Sequence, residues 1–173
     1  MKTQPDYCRA HPELLQAQKM AYEPCGLICM NLVKEAEGEE YGAAEFDIDH
    51  RRIKFRVGKI TPTKSGLFVT LWKRIGNGVI QPHDVADPID FYVVSVRKEE
   101  RVGQFVFPKT ILYEKGILAK EGTGGKRAMR IYPPWDTTDS LQAKKTQAWQ
   151  QLYFFEILAM NSIDKQSILK LFH

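Results

Sequence analysis

Four cations bracket one turn of this chain: Lys59, Lys64, Lys73 and Arg74, all within residues 55–74. Two strand-like runs flank a turn that holds Pro62 and Gly66. Phe55, Val57 and Ile60 form the apolar side of the first run, and Leu67, Val69 and Leu71 alternate in the second. A hairpin with that pattern leaves its cations directed away from the core and close together, an arrangement that calls for an anion. Other residue sets carry less chemistry. Glu35, Glu37, Glu39 and Glu40 around Gly38 have the oxygens a divalent cation wants, but their spacing is that of a solvated loop. His83 has no partner at ligand or triad spacing and is expected to be solvated or capping. Cys8, Cys25 and Cys29 lack a second zinc pair and are expected as reduced thiols. The run Gly122-Thr123-Gly124-Gly125-Lys126-Arg127 lacks the frame of a phosphate-binding P-loop and predicts a mobile basic loop.

The elements that would position these residues follow from periodicity. Pro12 suits the first turn of a helix over 11–20, and the apolar run 27–33 is a strand or short helix. Residues 41–48, 52–60 and 67–74 pattern as three consecutive antiparallel strands, a meander. A glycine-broken loop covers 75–82. The run 90–96 is apolar on both faces, as a central buried strand is, and 103–107 returns beside it. Pro108 starts a short helix over 109–113, and 128–132 is the last strand. Thr138 or Asp139 caps a helix over 140–159 whose later turns pack on the sheet. Asn161-Ser162 interrupts it before a closing helix over 163–172. The fold class is α+β: a mixed, mostly antiparallel sheet flanked by helices, in a single domain over 1–173.

With 173 residues the chain can bury a substantial core. No apolar run approaches the length of a bilayer span and no secretion signal opens the chain, so a cytoplasmic protein without membrane attachment is expected. The net charge of +4 hides an asymmetry: about −6 over residues 1–50, about +10 over 51–130 and about zero beyond. The basic block also holds strands and aromatic residues, which points to phosphate-bearing partners.

Several segments together carry a resemblance. Lys59-Ile60-Thr61-Pro62-Thr63-Lys64, Phe68-Val69-Thr70-Leu71-Trp72-Lys73-Arg74, Gly103-Gln104-Phe105-Val106-Phe107-Pro108-Lys109, Gly125-Lys126-Arg127, Tyr132-Pro133-Pro134-Trp135-Asp136 and Ala143-Lys144-Lys145-Thr146-Gln147-Ala148-Trp149 occur in this order. They resemble the MepB family of bacterial proteins, some encoded beside a multidrug efflux pump and its regulator, over roughly residues 30–158. The element order is also similar to the restriction-endonuclease-like fold. In those nucleases a strand acid and a Glu-x-Lys pair hold Mg²⁺ and orient a water at the phosphodiester.

That likeness implies Glu40 or Glu45, with Asp47 as a further acid, and Lys59 as the lysine. The position two before Lys59 is Val57, flanked by Arg56 and Gly58, so a carboxylate is missing where a metal needs one. The expected activity is therefore nucleic-acid binding on a degenerate nuclease-like fold, with single-stranded or structured substrates preferred. Arg56, Lys59, Lys64, Lys73 and Arg74 would contact phosphates, with Lys126, Arg127, Arg130 and Lys145 as further basic rims. Trp72 and Trp135 would stack bases. Two alternatives stand beside it: a metal-dependent nuclease of unusual geometry, which alone would need Mg²⁺, and an accessory protein that binds small anions or drugs.

Overall fold

The computed structural model describes residues 10–158 and 163–173; Cys8 and the expected break at Asn161-Ser162 lie outside them. Pro12 opens α1 (Pro12–Ala17), where its missing N–H is no loss, and His11 Nδ1 accepts from the Glu13 N–H at 3.2 Å. The helical path runs past the expected end, through a π-type turn over Gln18–Tyr22 and a 3-10 turn over Glu23–Cys25. Next come β1 (Cys29–Lys34), β2 (Ala44–Ile48), β3 (Arg51–Val57), β4 (Lys59–Ile60), β5 (Leu67–Thr70), β6 (Trp72–Arg74), β7 (Ile80–Pro82), β8 (Phe91–Lys98) and β9 (Arg101–Pro108). The chain closes with α2 (Lys109–Glu114), β10 (Ala128–Ile131), α3 (Leu141–Gln150), β11 (Phe154–Glu156) and α4 (Lys165–Leu171). The fold is α+β. A six-stranded sheet in the order β1-β2-β3-β8-β9-β11 is antiparallel except at β3–β8, and smaller sheets β10-β5-β4 and β6-β7 accompany it.

The meander stops after two strands. β2 and β3 pair antiparallel as expected, but β3 runs parallel to β8, and β4 pairs with β5 in a different sheet. Gly58 is the point of departure. Its N–H donates to the Ser95 carbonyl at 2.9 Å, and a Cβ there would stand 3.0 Å from Ile131 and 3.2 Å from Leu67. The backbone thus passes close enough to the side chains of β5 and β10 that a Cβ there would press on them. Past this point Ile60 turns outward, 71 % exposed rather than buried, while Leu67, Val69 and Leu71 are buried as their alternation predicts. The last three residues of the expected loop 75–82 are β7, paired with β6.

β8 and β9 form the hairpin that the continuous apolar run predicts, and α2 follows from Pro108. The expected helix over 140–159 ends early, at Gln150. After one 3-10 turn the chain extends as β11 along β9, so β10 is not the last strand. Along that edge Phe155 is buried and the Phe154 ring packs 4.9 Å from that of Phe105. The Phe154 ring lies over Gly103, where a Cβ would come within 2.3 Å of the ring and 2.7 Å of the Phe155 carbonyl. Gly103→Ala should therefore lower stability by about 1–3 kcal/mol, read as a lower urea midpoint with an unchanged m-value.

Two apolar clusters occupy the two faces of the main sheet. Phe46, Ile53, Phe55, Phe91 and Val93 pack under α1 and α4, whereas Tyr92, Val94, Phe105 and Phe107 pack against β5, β10 and α3. Because side chains alternate along a strand, β3 sends Lys54 and Arg56 to the second face, and both are buried. Among the described residues no helix is long and apolar enough to cross a membrane.

Candidate nucleic-acid interface

An open cleft of about 650 Å³ lies between β5, β10 and α3. Lys64 reaches it from the connection after β4, Lys115 from the end of α2, Lys126 from the glycine-rich segment and Arg130 from β10. Phe68 and Trp149 supply aromatic surface, and among the described residues no carboxylate lines it. A shallower groove shares Lys115 and Trp149 and adds Lys145 from α3. Lys115 Nζ is 5.6 Å from the centre of the Trp149 ring, whose neighbour on the core side is Phe107 at 5.5 Å.

Local hydrogen bonds fix the cleft walls. Arg130 donates from Nη1 to the Ser65 carbonyl at 3.0 Å and from Nη2 to Thr61 Oγ1 at 2.6 Å, which holds the loop that presents Lys64. Gly66, in that loop at φ +73°, approaches the Ile131 carbonyl so closely that a Cβ would lie 2.6 Å from it. Only glycine combines this left-handed backbone with that contact. The buried Gln150 amide serves the free edge of β10: Nε2 donates to the Arg130 carbonyl at 2.9 Å, and Oε1 accepts from the Tyr132 N–H at 2.8 Å. Ser140 Oγ caps α3 by accepting from the Ala143 N–H at 3.0 Å. The glycine-rich segment is tied down at three points. Gly122 N–H donates to Asp84, Lys126 N–H donates to the Ile117 carbonyl, and Gly125 packs against Ala119 and Pro82.

The remaining candidates sit elsewhere. Arg56, Trp72, Lys73 and Arg74 surround a second cavity of about 380 Å³, and each of its three named cations has a carboxylate. Arg56 is only 4 % exposed and binds Glu35; Lys73 meets Asp87 and Arg74 meets Glu37 at 3.1 Å. Lys59 is paired with Glu40 at 3.1 Å and lies 4.5 Å from the centre of the Tyr41 ring. Arg127 is exposed beside Lys126. The Trp135 ring is engaged internally, between the Arg101 guanidinium at 4.8 Å and the Phe154 ring at 5.4 Å.

The acids do not gather around Lys59. Glu40 alone reaches it; Glu45 binds Lys54 at 2.6 Å and Arg52 at 3.7 Å, while Asp47 binds Arg52 at 3.2 Å and accepts from Asn31 at 2.7 Å. The reason is register: Glu45 and Asp47 face Lys54 and Arg52 directly across the β2–β3 pair, whereas Lys59 belongs to another sheet. No group of three or more His, Cys, Asp or Glu side chains suited to a metal occurs among the described residues.

The pairing of Glu35 with Lys54 and Arg56 was not legible in the sequence, which places Glu35 in a solvated acidic loop. Burial alone would raise the Glu35 pKa, but the Arg56 guanidinium and the hydrogen bond from Lys54 outweigh it and hold the carboxyl below 4.5. His83, expected in solvent, is 2 % exposed against the Tyr92 ring at 5.5 Å. Burial, with Lys54 and Arg56 nearby, lowers its pKa to about 4. Its 3.4 Å contact with Asp87 is therefore that of a neutral imidazole at pH 7. Lys115 and Trp149 were also missed as cleft residues; only the tertiary contact between the end of α2 and α3 brings them together.

Comparison with known proteins gives a consistent match. The family model described as MepB-like matches residues 35–156. A solved structure titled "Crystal Structure of MepB" is 37 % identical with a TM-score of 0.71, over 74 % of this chain and 86 % of that one. No curated protein matches.

Proposed function

The chain belongs to the MepB-like family, and from the charge pattern of its open cleft we propose that it binds single-stranded or structured nucleic acid. One observation carries this reading: Lys64, Lys115, Lys126 and Arg130 converge on a cleft that no carboxylate lines among the described residues. Elsewhere Lys54, Arg56, Lys59, Lys73, Arg74, Arg97, Lys98 and Arg101 are each matched by an acid. Four converging positive charges repel one another unless an anion lies between them, and a phosphodiester chain supplies anions at a regular spacing. Phe68 and Trp149 offer surfaces on which unpaired bases stack, a contact that a closed duplex does not provide. Because Glu45 and Asp47 are held in cross-strand ion pairs, the activity proposed is gripping a phosphate backbone rather than cutting it.

Binding should weaken steeply with salt. Four phosphate contacts to a single strand give a log–log slope of about −3, and Lys115→Ala or Lys126→Ala should reduce its magnitude by about 0.7. Each substitution should also weaken binding several-fold without changing thermal stability, measured by fluorescence anisotropy with labelled DNA and RNA oligonucleotides. No binding to any of these oligonucleotides at low salt would overturn the proposal.

A further inference from the structure

The second cavity has a construction that the backbone-gripping cleft does not. Its floor is Lys54 and Arg56, 6 % and 4 % exposed, with Glu35 and Glu45 beside them. Lys54 Nζ lies 2.7 Å from Glu35 and 2.6 Å from Glu45. A lysine ammonium has three N–H donors and each carboxylate about four acceptor positions, so donors and acceptors both remain for a ligand. Trp72 forms a wall, with the Arg74 guanidinium 5.6 Å from its ring centre. The rim carries both signs: Lys34, Lys73 and Arg74 stand there with Glu37, and Lys73 and Arg74 are paired with Asp87 and Glu37. A volume of about 380 Å³ lies within the range of small-ligand sites, while a long polymer could not fit into it.

From this combination we infer that the cavity over Lys54 and Arg56 holds one nucleobase. A planar aromatic wall suits the face of a base, a floor of mixed donors and acceptors suits its polar edge, and the Lys34 ammonium at the rim suits the attached phosphate. A purely anionic ligand would not need Glu35 and Glu45, and a purely cationic one would meet Lys54 and Arg56. The cavity and the cleft also share a strand face. Phe68 in the cleft and Thr70 and Trp72 in the cavity are alternate residues on β5 and β6. Alternate residues project to one side, and four positions of extended chain span about 13 Å. A strand seated against Phe68 can thus turn one unstacked base towards Trp72. In that form the inference rests on the nucleic-acid reading of the cleft; a free nucleotide is the other source of the same base.

The test uses the full chain with two probes. The first is the set of adenine, guanine, cytosine and uracil mononucleotides, followed by isothermal titration. The second is a series of single-stranded 12-mers, intact or with one abasic site moved along the strand, followed by anisotropy. If strand bases enter the cavity, an abasic site at one register should weaken binding about tenfold relative to other registers, and Trp72→Ala should abolish the difference. If free nucleotides enter, at least one should bind the wild-type chain and lose about tenfold affinity in Trp72→Ala, with recovery in Trp72→Phe. Lys126→Ala should leave mononucleotide binding unchanged. Oligonucleotide binding that responds to Lys126→Ala, yet ignores abasic sites and Trp72→Ala, with no mononucleotide bound, would overturn the base site and leave the cleft intact. No binding of either probe would overturn both.

Discussion

Glu35→Ala should lower the unfolding free energy by about 3–5 kcal/mol, the usual result of removing one partner from a buried ion pair. Glu35 is the acid that accompanies Arg56 and one of two that accompany Lys54, and these cations are nearly inaccessible to water. Without it Lys54 keeps Glu45, but among the described residues Arg56 keeps only the Phe55 carbonyl, at 2.8 Å. A guanidinium on the floor of a protein cavity with no counter-charge must draw in water or distort the sheet. In a chain of this size the loss corresponds to a drop in Tm of roughly 6–20 °C. Glu40→Ala is the contrasting variant, because the Glu40–Lys59 pair has side chains 71 % and 39 % exposed. Solvent screening limits such a pair to less than about 1 kcal/mol. Glu35→Met combined with Arg56→Met should recover much of the loss, since the unpaired charge is then gone while the Lys54–Glu45 contact stays. Equal effects of Glu35→Ala and Glu40→Ala in urea titrations would show that the buried network does not hold the sheet as its geometry implies.

The same network explains what the sequence disclosed and what it hid. The acidic block 1–50 and the basic block 51–130 are plain in the order of residues, but the fold turns much of that asymmetry inward. Glu13 meets Arg97, Glu35 meets Lys54 and Arg56, Glu37 meets Arg74, Glu40 meets Lys59, and Asp47 meets Arg52. A charge count along the chain overstates the basic surface because it cannot tell a cation facing solvent from one neutralised across a strand pair. Lys64, Lys126 and Arg130 could be picked out as cations; that they share one cleft follows from β10 pairing with β5. The fold divides similarly. The β8–β9 hairpin was legible because a two-sided apolar run has few alternatives to a central strand. The parallel β3–β8 pair was not, because it joins residues separated by the whole β4–β7 excursion. Leu152, Tyr153, Phe155 and Ile157 satisfy a helical stripe and a strand alternation about equally, and Gly103 reveals the strand only once Phe154 is seen lying over it.

Acid should destabilise the chain in two stages, the first governed by His83. Its pKa falls from the usual 6.5 to about 4 on folding, first through burial and then through Lys54 and Arg56, with Asp87 opposing. The native state therefore refuses a proton that the unfolded chain accepts between these two values. A depressed native pKa makes its contribution to stability complete above pH 6.5 and progressively lost as pH falls towards 4. The slope approaches 1.4 kcal/mol per pH unit and the total is about 3 kcal/mol. Glu35 has the same sign at lower pH: its native pKa lies below 4.5, so its contribution is present above that value and lost as pH falls through the native one. His83→Phe separates the stages. A phenyl ring retains packing against Tyr92, and Asp87 retains Lys73 and the Asp84 N–H. Urea unfolding between pH 7 and pH 4 should then decline much less down to about pH 5 in the variant than in the parent, with a residual slope from His11, whose pKa burial also lowers, and both should decline together once Glu35 protonates. A parent profile flat over that interval, or an identical decline in the variant, would mean that His83 takes up its proton equally in both states, and the buried imidazole would then have no part in acid sensitivity.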